Sequence, residues 1–230
     1  MTLSKHDLRL NQKTRPEKRM IAPGRREIIS GSTKIRLIFL LVIGFSVPAF
    51  PQNADINLLR VINGDRNTSL DPAFKFVTNS VLPMAVAIPS GFITYALLKK
   101  DSTSKSNAII VCSSLVITGI ITTSLKYAIN RERPYNTYPF IQQVTPGGGP
   151  SFPSGHTSTA FSLATSVSLA CPKWYVIAPS FLWAGAVGYS RMDLGVHYPS
   201  DVLAGAVIGS GSAFLSFKLN RWINKKRVVK

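Results

Sequence analysis

Three short segments in the second half of the chain carry residues that could hold an anion and move protons. The segments are Lys126-x6-Arg133-Pro134, Pro153-Ser154-Gly155-His156 and Ser190-Arg191-x5-His197-x3-Asp201. Together they contain three cations, two imidazoles and one carboxylate. Guanidinium groups bind phosphate oxygens strongly, and imidazoles have pKa values suited to acid–base work near neutral pH. This set of residue types indicates chemistry on a phosphate group.

The spacing within the first and third segments pairs particular side chains. Lys126 and Arg133 are seven residues apart, so they share one helix face if the helix continues beyond the apolar stretch before it. With Arg191 from another segment, they would clamp a phosphate and stabilise the charge that develops on it. His197 and Asp201 are four residues apart, so the carboxylate can accept a hydrogen bond from the imidazole and fix its tautomer.

The second segment is expected to open a helix. Ser154 and Gly155 would then offer a hydroxyl and backbone N–H groups to an anion. The run Gly147-Gly148-Gly149-Pro150 before it lacks the Gly-Lys-Ser/Thr that completes a P-loop. We interpret this run as a mobile connector beside the site.

Apolar stretches place the three segments at the ends of membrane-spanning helices. Five stretches cover residues 72–98, 107–127, 157–171, 174–190 and 202–217, and a sixth covers residues 35–50. A helix needs about 20 residues to cross the hydrocarbon, so the shorter stretches must be extended by their flanking residues. We therefore predict an all-α fold, an integral membrane helical bundle with five or six transmembrane helices. Pro83 and Pro89 are expected to kink the first of the five.

The distribution of Lys and Arg predicts the orientation of the bundle. With the N-terminus in the cytoplasm and one crossing per stretch, twenty of the 27 basic residues lie on the cytoplasmic side. The same layout puts the cations, imidazoles and carboxylate of the three segments together at the outer ends. We expect a multi-pass protein of the cell inner membrane with its site on the periplasmic, extracytoplasmic face. This distribution explains the net charge of +17, so no nucleic-acid partner is expected.

The resulting domain organisation has five parts. Residues 1–34 form a basic cytoplasmic tail, and residues 35–50 form a first transmembrane helix or a cleaved signal segment. Residues 51–71 form a non-cytoplasmic linker, in which an interfacial helix ends at Gly64. Residues 72–220 form the transmembrane core, and residues 221–230 form a second basic cytoplasmic tail.

The three segments, taken in order, resemble the signature of the type-2 phosphatidic acid phosphatase superfamily, the lipid phosphate phosphatases. Vanadium haloperoxidases and bacterial acid phosphatases share this signature. All three blocks match without a gap over residues 126–201, and the helical pattern extends the resemblance to about residues 70–220. A haloperoxidase is excluded by the small size and the membrane-spanning pattern of this chain.

The resemblance implies a role for each matched residue. His197 would be the nucleophile that forms a phosphohistidine, with Asp201 orienting it. His156 would be the general acid for the leaving oxygen and then the base for water. The remaining matched residues would bind the phosphoryl oxygens: Lys126, Arg133, Ser154, Gly155 and Arg191. Three cations already neutralise the phosphate, so neither a metal nor another cofactor is expected.

The expected substrate is a membrane lipid that carries a phosphate or diphosphate. Undecaprenyl diphosphate comes first, followed by phosphatidic acid or phosphatidylglycerophosphate and then lipid A, although no residue sets that order. A phosphotransferase that passes the phosphate to a lipid acceptor is an alternative, as is a non-catalytic membrane scaffold. A metal hydrolase with His156, His197 and Asp201 as ligands is disfavoured by the neighbouring cations.

Overall fold

The computed structural model describes residues 52–228, which form helices and their connections with no strand in this range. The helices are α1 (Gln52–Gly64), α2 (Asp71–Asn79), α3 (Val81–Lys99), α4 (Ser102–Ile129), α5 (Pro134–Thr137), α6 (Gly155–Ala170), α7 (Trp174–Asp193) and α8 (Pro199–Val228), with a 3₁₀ turn at Thr68–Leu70. The predicted all-α class is confirmed. The tail at residues 1–34 and the stretch at residues 35–50 lie outside the described residues.

Helix boundaries follow the local chemistry of the sequence. The α1 helix ends at Gly64, as predicted for the interfacial helix. Asp101 caps α4, since its carboxylate accepts hydrogen bonds from the Ser104 N–H at 2.8 Å and from the Ser104 hydroxyl at 2.7 Å. The preceding helix, α3, ends at Lys99, and the next residue, Lys100, takes the left-handed conformation with φ of 56°.

The predicted membrane stretch at residues 72–98 is divided into α2 and α3 at Ser80. Pro83 explains the position of this break, because a proline ring crowds the carbonyl four residues earlier and provides no N–H for it. That carbonyl belongs to Asn79, the last residue of α2. Pro89 lies inside α3, where the helix continues past it.

Three segments of the described chain are long and apolar enough to cross a membrane: Thr68–Lys99, Ser102–Thr137 and Pro199–Lys225. The prediction of five or six spans is therefore approximate. The α6 helix has only 16 residues, and it packs against α4, α7 and α8, so half of its side chains are buried and many are Ser or Thr. The α7 helix is rich in Trp, Tyr and Gly, which lowers its mean hydropathy.

The most extensive helix contact joins α6 and α8. Gly209 makes this contact possible, because a Cβ there would lie 2.1 Å from the carbonyl oxygen of Ser158. Gly205 lies one turn earlier, where a Cβ would come within 2.8 Å of the Ser154 carbonyl oxygen. The close approach brings the first turns of both helices together, and the Ser154 N–H donates to the Asp201 carbonyl at 3.1 Å.

Candidate active site

The residues of the three segments meet at one end of the bundle. They lie at the C-terminal ends of α4 and α7 and at the N-terminal ends of α6 and α8. A cavity of ≈ 220 Å³ at this end is lined by Lys126, Arg133, Pro146, Gly147, Gly148, Gly155, His156, Arg191 and His197. The predicted convergence of the cations and imidazoles is therefore present in the fold.

Lys126 and Arg133 reach this cavity in a different way from the one predicted. The α4 helix ends at Ile129, and Asn130 takes a left-handed conformation with φ of 47°. Arg133 therefore comes from the segment after the helix, and the two cations do not share a helix face. The condition for a shared face, a helix that continues past Lys126 to Arg133, is not met, because the left-handed residue turns the chain away four residues after Lys126.

Both cations are held by carbonyl groups of the loop before α6. Lys126 Nζ donates to the Pro150 carbonyl at 2.6 Å. Arg133 donates through Nε to the Gly149 carbonyl at 3.0 Å and through Nη2 to the Gly148 carbonyl at 2.8 Å. The glycine-rich run lies beside the site, as predicted, and it is hydrogen-bonded to the cations that line the cavity. Its predicted mobility stays a prediction.

His197 precedes the first turn of α8 and is almost completely buried. Its Nδ1 lies 3.4 Å from Asp201 Oδ2, and its Nε2 lies 3.4 Å from Arg133 Nη1. Asp201 also accepts a hydrogen bond from the Tyr198 N–H at 3.0 Å, so the carboxylate closes the start of α8. This geometry directs Nδ1 toward the carboxylate and leaves Nε2 on the side of the cavity.

Burial lowers the pKa of His197 to about 4, although the hydrogen bond to Asp201 opposes the shift. His156 lies just before the predicted membrane stretch at residues 157–171. Its pKa is also lowered to about 4, first by burial and then by the charges of Arg191, Arg133 and Lys126. With pKa values this low, both imidazoles are neutral at pH 7.

Arg191 lies on the wall of the cavity and is buried, with only 3% of its surface exposed. Its Nη1 donates to the Thr78 hydroxyl at 2.8 Å. Its Nε is also buried and has no hydrogen-bond partner within the described part of the chain. A buried guanidinium with an unused donor is stabilised when an anion binds beside it.

Ser154 and Gly155 occupy different positions relative to the cavity. Ser154 is the N-cap residue of α6, and its fully buried hydroxyl accepts a hydrogen bond from Thr157 at 2.9 Å. Gly155 lies on the cavity wall, whereas Ser154 is not among the residues that line it. The predicted helix opening is confirmed, and direct phosphate binding by Ser154 remains a prediction.

Several residues beside the pair of His197 and Asp201 received no role from the sequence. Arg131 donates to Asp201 Oδ1 at 2.7 Å and to Asp55 Oδ2 at 2.8 Å. Ser151 donates to Asp201 Oδ2 at 2.5 Å. The sequence offered one indication for Arg131: it lies between Lys126 and Arg133 of the first segment. Asp55 and Ser151 have no such signal, since they lie outside the three segments.

An apolar groove of ≈ 450 Å³ adjoins the polar cavity. The two share Lys126, Gly155 and His156 on their walls. The rest of the groove is lined by residues of α3, α4 and α6: Val81, Leu82, Ala85, Thr118, Gly119, Thr122, Thr123 and Thr159. A molecule with one charged and one apolar part could occupy both spaces at once.

Comparison with known proteins agrees with this combination of membrane helices and an anion-binding cavity. The PAP2 superfamily profile matches residues 107–225, and the chain belongs to this family, whose relatives include membrane lipid phosphatases. The match includes all three sequence segments. The chain is accordingly an integral membrane protein.

The chain is similar along most of its length to curated relatives. It is 30% identical to lipid A 4'-phosphatase of Bacteroides thetaiotaomicron, over 73% of this chain and 77% of the relative. It is 32% identical to undecaprenyl-diphosphatase of Sulfolobus acidocaldarius, over 80% of this chain and 87% of the relative.

Two solved structures share the fold. Aquifex aeolicus LpxE superposes with a TM-score of 0.63 at 28% identity, covering 72% of this chain and 95% of that protein. A transmembrane PAP2-type phosphatidylglycerolphosphate phosphatase from Bacillus subtilis superposes with a TM-score of 0.61 at 25% identity, covering 84% of this chain and 95% of that protein.

Proposed function

We propose that this chain hydrolyses the phosphate or diphosphate of a membrane lipid, through a phosphohistidine at His197 and without a metal ion. The observation that carries the proposal is one cavity lined by three cations and two imidazoles, continuous with an apolar groove. The cations bind the phosphoryl group and the groove takes the lipid. Three fixed positive charges supply the electrostatic stabilisation that a divalent ion provides in other phosphatases.

In the first step, His197 Nε2 attacks phosphorus. The P–N bond forms while the bond from phosphorus to the lipid-side oxygen breaks, and His156 donates a proton to that oxygen. The contact of 3.4 Å between His197 Nδ1 and Asp201 supports this assignment, because it leaves the Nε2 lone pair available. His197 is neutral at pH 7, as a nucleophile must be.

In the second step, water attacks the phosphohistidine. His156, now deprotonated, takes a proton from the water as the P–N bond breaks. Inorganic phosphate is released, and His197 returns to its neutral form. His156 needs a proton for the first step, and its low pKa comes partly from the charges of the three cations. A bound phosphate neutralises those charges and raises the pKa of His156.

The position of His156 supports a lipid as the leaving group. It lies where the polar cavity meets the apolar groove, so the oxygen that it protonates is on the lipid side of the phosphorus. Undecaprenyl diphosphate is our first candidate, followed by phosphatidic acid or phosphatidylglycerophosphate and then lipid A. The curated relatives and solved structures named above include proteins for three of these lipids.

We place the site on the extracytoplasmic face of the inner membrane. The α4, α6, α7 and α8 helices meet at the site end, and the basic residues at the opposite end of the bundle include Lys99, Lys100, Lys105 and Lys173. An excess of Lys and Arg marks the cytoplasmic ends of membrane helices. The substrate would therefore reach the site from the outer leaflet.

The test is phosphate release by detergent-purified protein in the presence of a chelator, with the four lipids as substrates. We expect release from at least one lipid and none by the His197→Ala variant. His156→Ala should lower kcat by about 10²- to 10⁴-fold, the usual contribution of general acid–base catalysis. His6→Ala is the matched control, because His6 is the third histidine and lies outside the three segments.

The alternatives give different results in the same assay. Turnover that depends on an added lipid acceptor would indicate a phosphotransferase. Loss of turnover on chelation, restored by a divalent cation, would contradict the metal-independent scheme. No release from any lipid by folded protein would contradict the hydrolase assignment and favour a non-catalytic role.

A further inference from the structure

A buried ion-pair cluster lies behind the pair of His197 and Asp201. The guanidinium of Arg131 bridges two carboxylates, with Nη1 2.7 Å from Asp201 Oδ1 and Nη2 2.8 Å from Asp55 Oδ2. The Asp55 and Asp201 side chains are 4% and 0% exposed, whereas that of Arg131 is 28% exposed. One cation from the segment after α4 thus joins α1 to the first turn of α8.

The two oxygens of Asp201 have different partners. Oδ1 accepts from Arg131, and Oδ2 accepts from the Ser151 hydroxyl at 2.5 Å and from the Tyr198 N–H at 3.0 Å, and faces His197 Nδ1. The guanidinium therefore fixes which oxygen faces the imidazole. Without it, Oδ1 would be a buried oxygen with no cation, and the carboxylate could rotate.

Asp55 holds Arg131 in this position. Besides the guanidinium, its carboxylate accepts from the Ser200 N–H at 2.9 Å and from the Ser200 hydroxyl at 2.5 Å. The Arg131 guanidinium carbon lies over the Tyr198 ring, 3.8 Å from the ring centroid, which also helps to hold it. Because Arg131 is shared between two carboxylates, Asp201 keeps part of its negative charge for the imidazole.

Arg131 is separated from the phosphate cavity. It is not among the residues that line the ≈ 220 Å³ cavity, and it lies instead on a second, polar cavity of ≈ 420 Å³ that shares Arg133 and Gly147 with the first. Its side chain contacts Asp201 directly, so we expect an effect of Arg131 on catalysis to pass through Asp201. The second cavity also gives small solutes a route to the position of its guanidinium.

We propose that Arg131 and Asp55 are positioning residues that orient Asp201 and, through it, the attacking nitrogen of His197. The inference rests on the proposed function, since it takes His197 as the nucleophile. It assigns a role in the reaction to α1, a helix that lies outside all three sequence segments and outside the region of the family match.

The first test compares kcat and KM of wild type with Arg131→Ala, Arg131→Lys and Asp55→Asn, each normalised to folded, monodisperse protein. We expect Arg131→Ala to lower kcat by about 10- to 100-fold, the cost of losing an outer hydrogen-bond partner of a metal-bound histidine, with KM changed less than about threefold. The other two variants should fall between it and wild type. Guanidinium ion should restore part of the lost kcat in Arg131→Ala and none in Asp55→Asn.

Matched controls are available close by. Arg60 lies on the same helix as Asp55 and contacts only the ring of Phe140 among the interactions described for it, and Asp65 is exposed just after α1. Arg60→Ala and Asp65→Asn should keep wild-type kcat. A raised KM with unchanged kcat in Arg131→Ala, or wild-type kcat in both Arg131→Lys and Asp55→Asn, would overturn the inference.

A binding measurement separates this inference from the proposed function. Orthovanadate needs a correctly placed nucleophile to become five-coordinate, whereas inorganic phosphate needs only the cations. Arg131→Ala should weaken vanadate binding about tenfold or more and leave phosphate binding unchanged. If the wild-type protein hydrolyses no lipid, but Arg131→Ala still weakens vanadate binding and not phosphate binding, only the proposed hydrolase function would be refuted. Equal weakening of both anions, or of neither, would overturn the positioning role.

Discussion

Single residues in this site depend on their surroundings for their chemistry. His197 and His156 have the same side chain, and both are neutral at pH 7, yet their neighbours differ. His197 faces a carboxylate through Nδ1, while His156 faces cations and borders the apolar groove. The proposed nucleophile and the proposed acid are therefore distinguished by contacts that the residue types alone do not specify.

The low pKa of His197 can be tested directly by NMR of ¹³C-labelled histidine side chains. An ordinary histidine titrates near pH 6.5. Since burial lowers the pKa of His197 to about 4, its signal should stay that of a neutral imidazole from pH 8 to pH 5. Below that range the ring gains a proton and loses its nucleophilic lone pair.

The His197→Ala spectrum assigns the signal, and the His6 signal is the internal comparison. A midpoint near 6.5 for His197 would contradict the burial argument. The same experiment tests the proposed acid, because adding inorganic phosphate should raise the midpoint of His156, whose pKa is lowered to about 4 by burial and by the three cations.

Among the helices, α6 and α8 decide whether the site exists. Their first turns carry His156 and Asp201, and the glycines on α8 let the two backbones approach closely. A side chain on this face would separate the two helix starts. The distance between the cations and the imidazoles is therefore set by helix packing, one turn or more away from the site.

Gly209→Ala and Gly211→Ala form a matched pair for this contact. A Cβ at Gly209 would lie 2.1 Å from the Ser158 carbonyl, whereas a Cβ at Gly211 meets nothing within 4 Å. We expect Gly209→Ala to lower the free energy of unfolding by about 1–3 kcal/mol, as overpacking does. Gly211→Ala should be neutral or raise it by up to about 1 kcal/mol.

Unfolding of the purified protein in detergent, followed by circular dichroism, measures both changes. Phosphate release measured alongside should fall for Gly209→Ala and not for Gly211→Ala. Equal stability of the two variants would mean that the α6–α8 contact does not position the site.

Across the whole molecule, charge and helix direction divide the bundle into two ends. The site occupies one end, and the exposed lysines of the connections between α3 and α4 and between α6 and α7 occupy the other. Lysines favour the cytoplasmic side because they resist transfer across the membrane. This asymmetry gives the proposed orientation its physical basis.

Cysteine labelling in intact cells tests the orientation. After Cys112 and Cys171 are replaced by Ala, single cysteines are introduced by Asn136→Cys at the site end and Ser102→Cys at the other end. Both positions are exposed. A membrane-impermeant maleimide should label Asn136→Cys in whole cells and Ser102→Cys only after permeabilisation. The reverse pattern would place the site in the cytoplasm.

The sequence by itself determined the all-α class, the grouping of cations and imidazoles at one end, and the residues that meet in the cavity. These properties follow from apolar runs and from short-range spacing, which do not depend on contacts between residues far apart in the sequence. Local start and stop signals also account for the end of α1 at Gly64 and for the opening of α6 after its N-cap residue Ser154.

Only the tertiary structure decided how Arg133 reaches the cavity, since a single left-handed residue at Asn130 ends the helix that was expected to carry it. It also brought Asp55 to Arg131, although 76 residues separate them along the chain. Such a contact depends on how α1 packs against α8, and no local pattern records that packing. The residues that hold the proposed nucleophile in place were therefore visible only once the helices had been assembled.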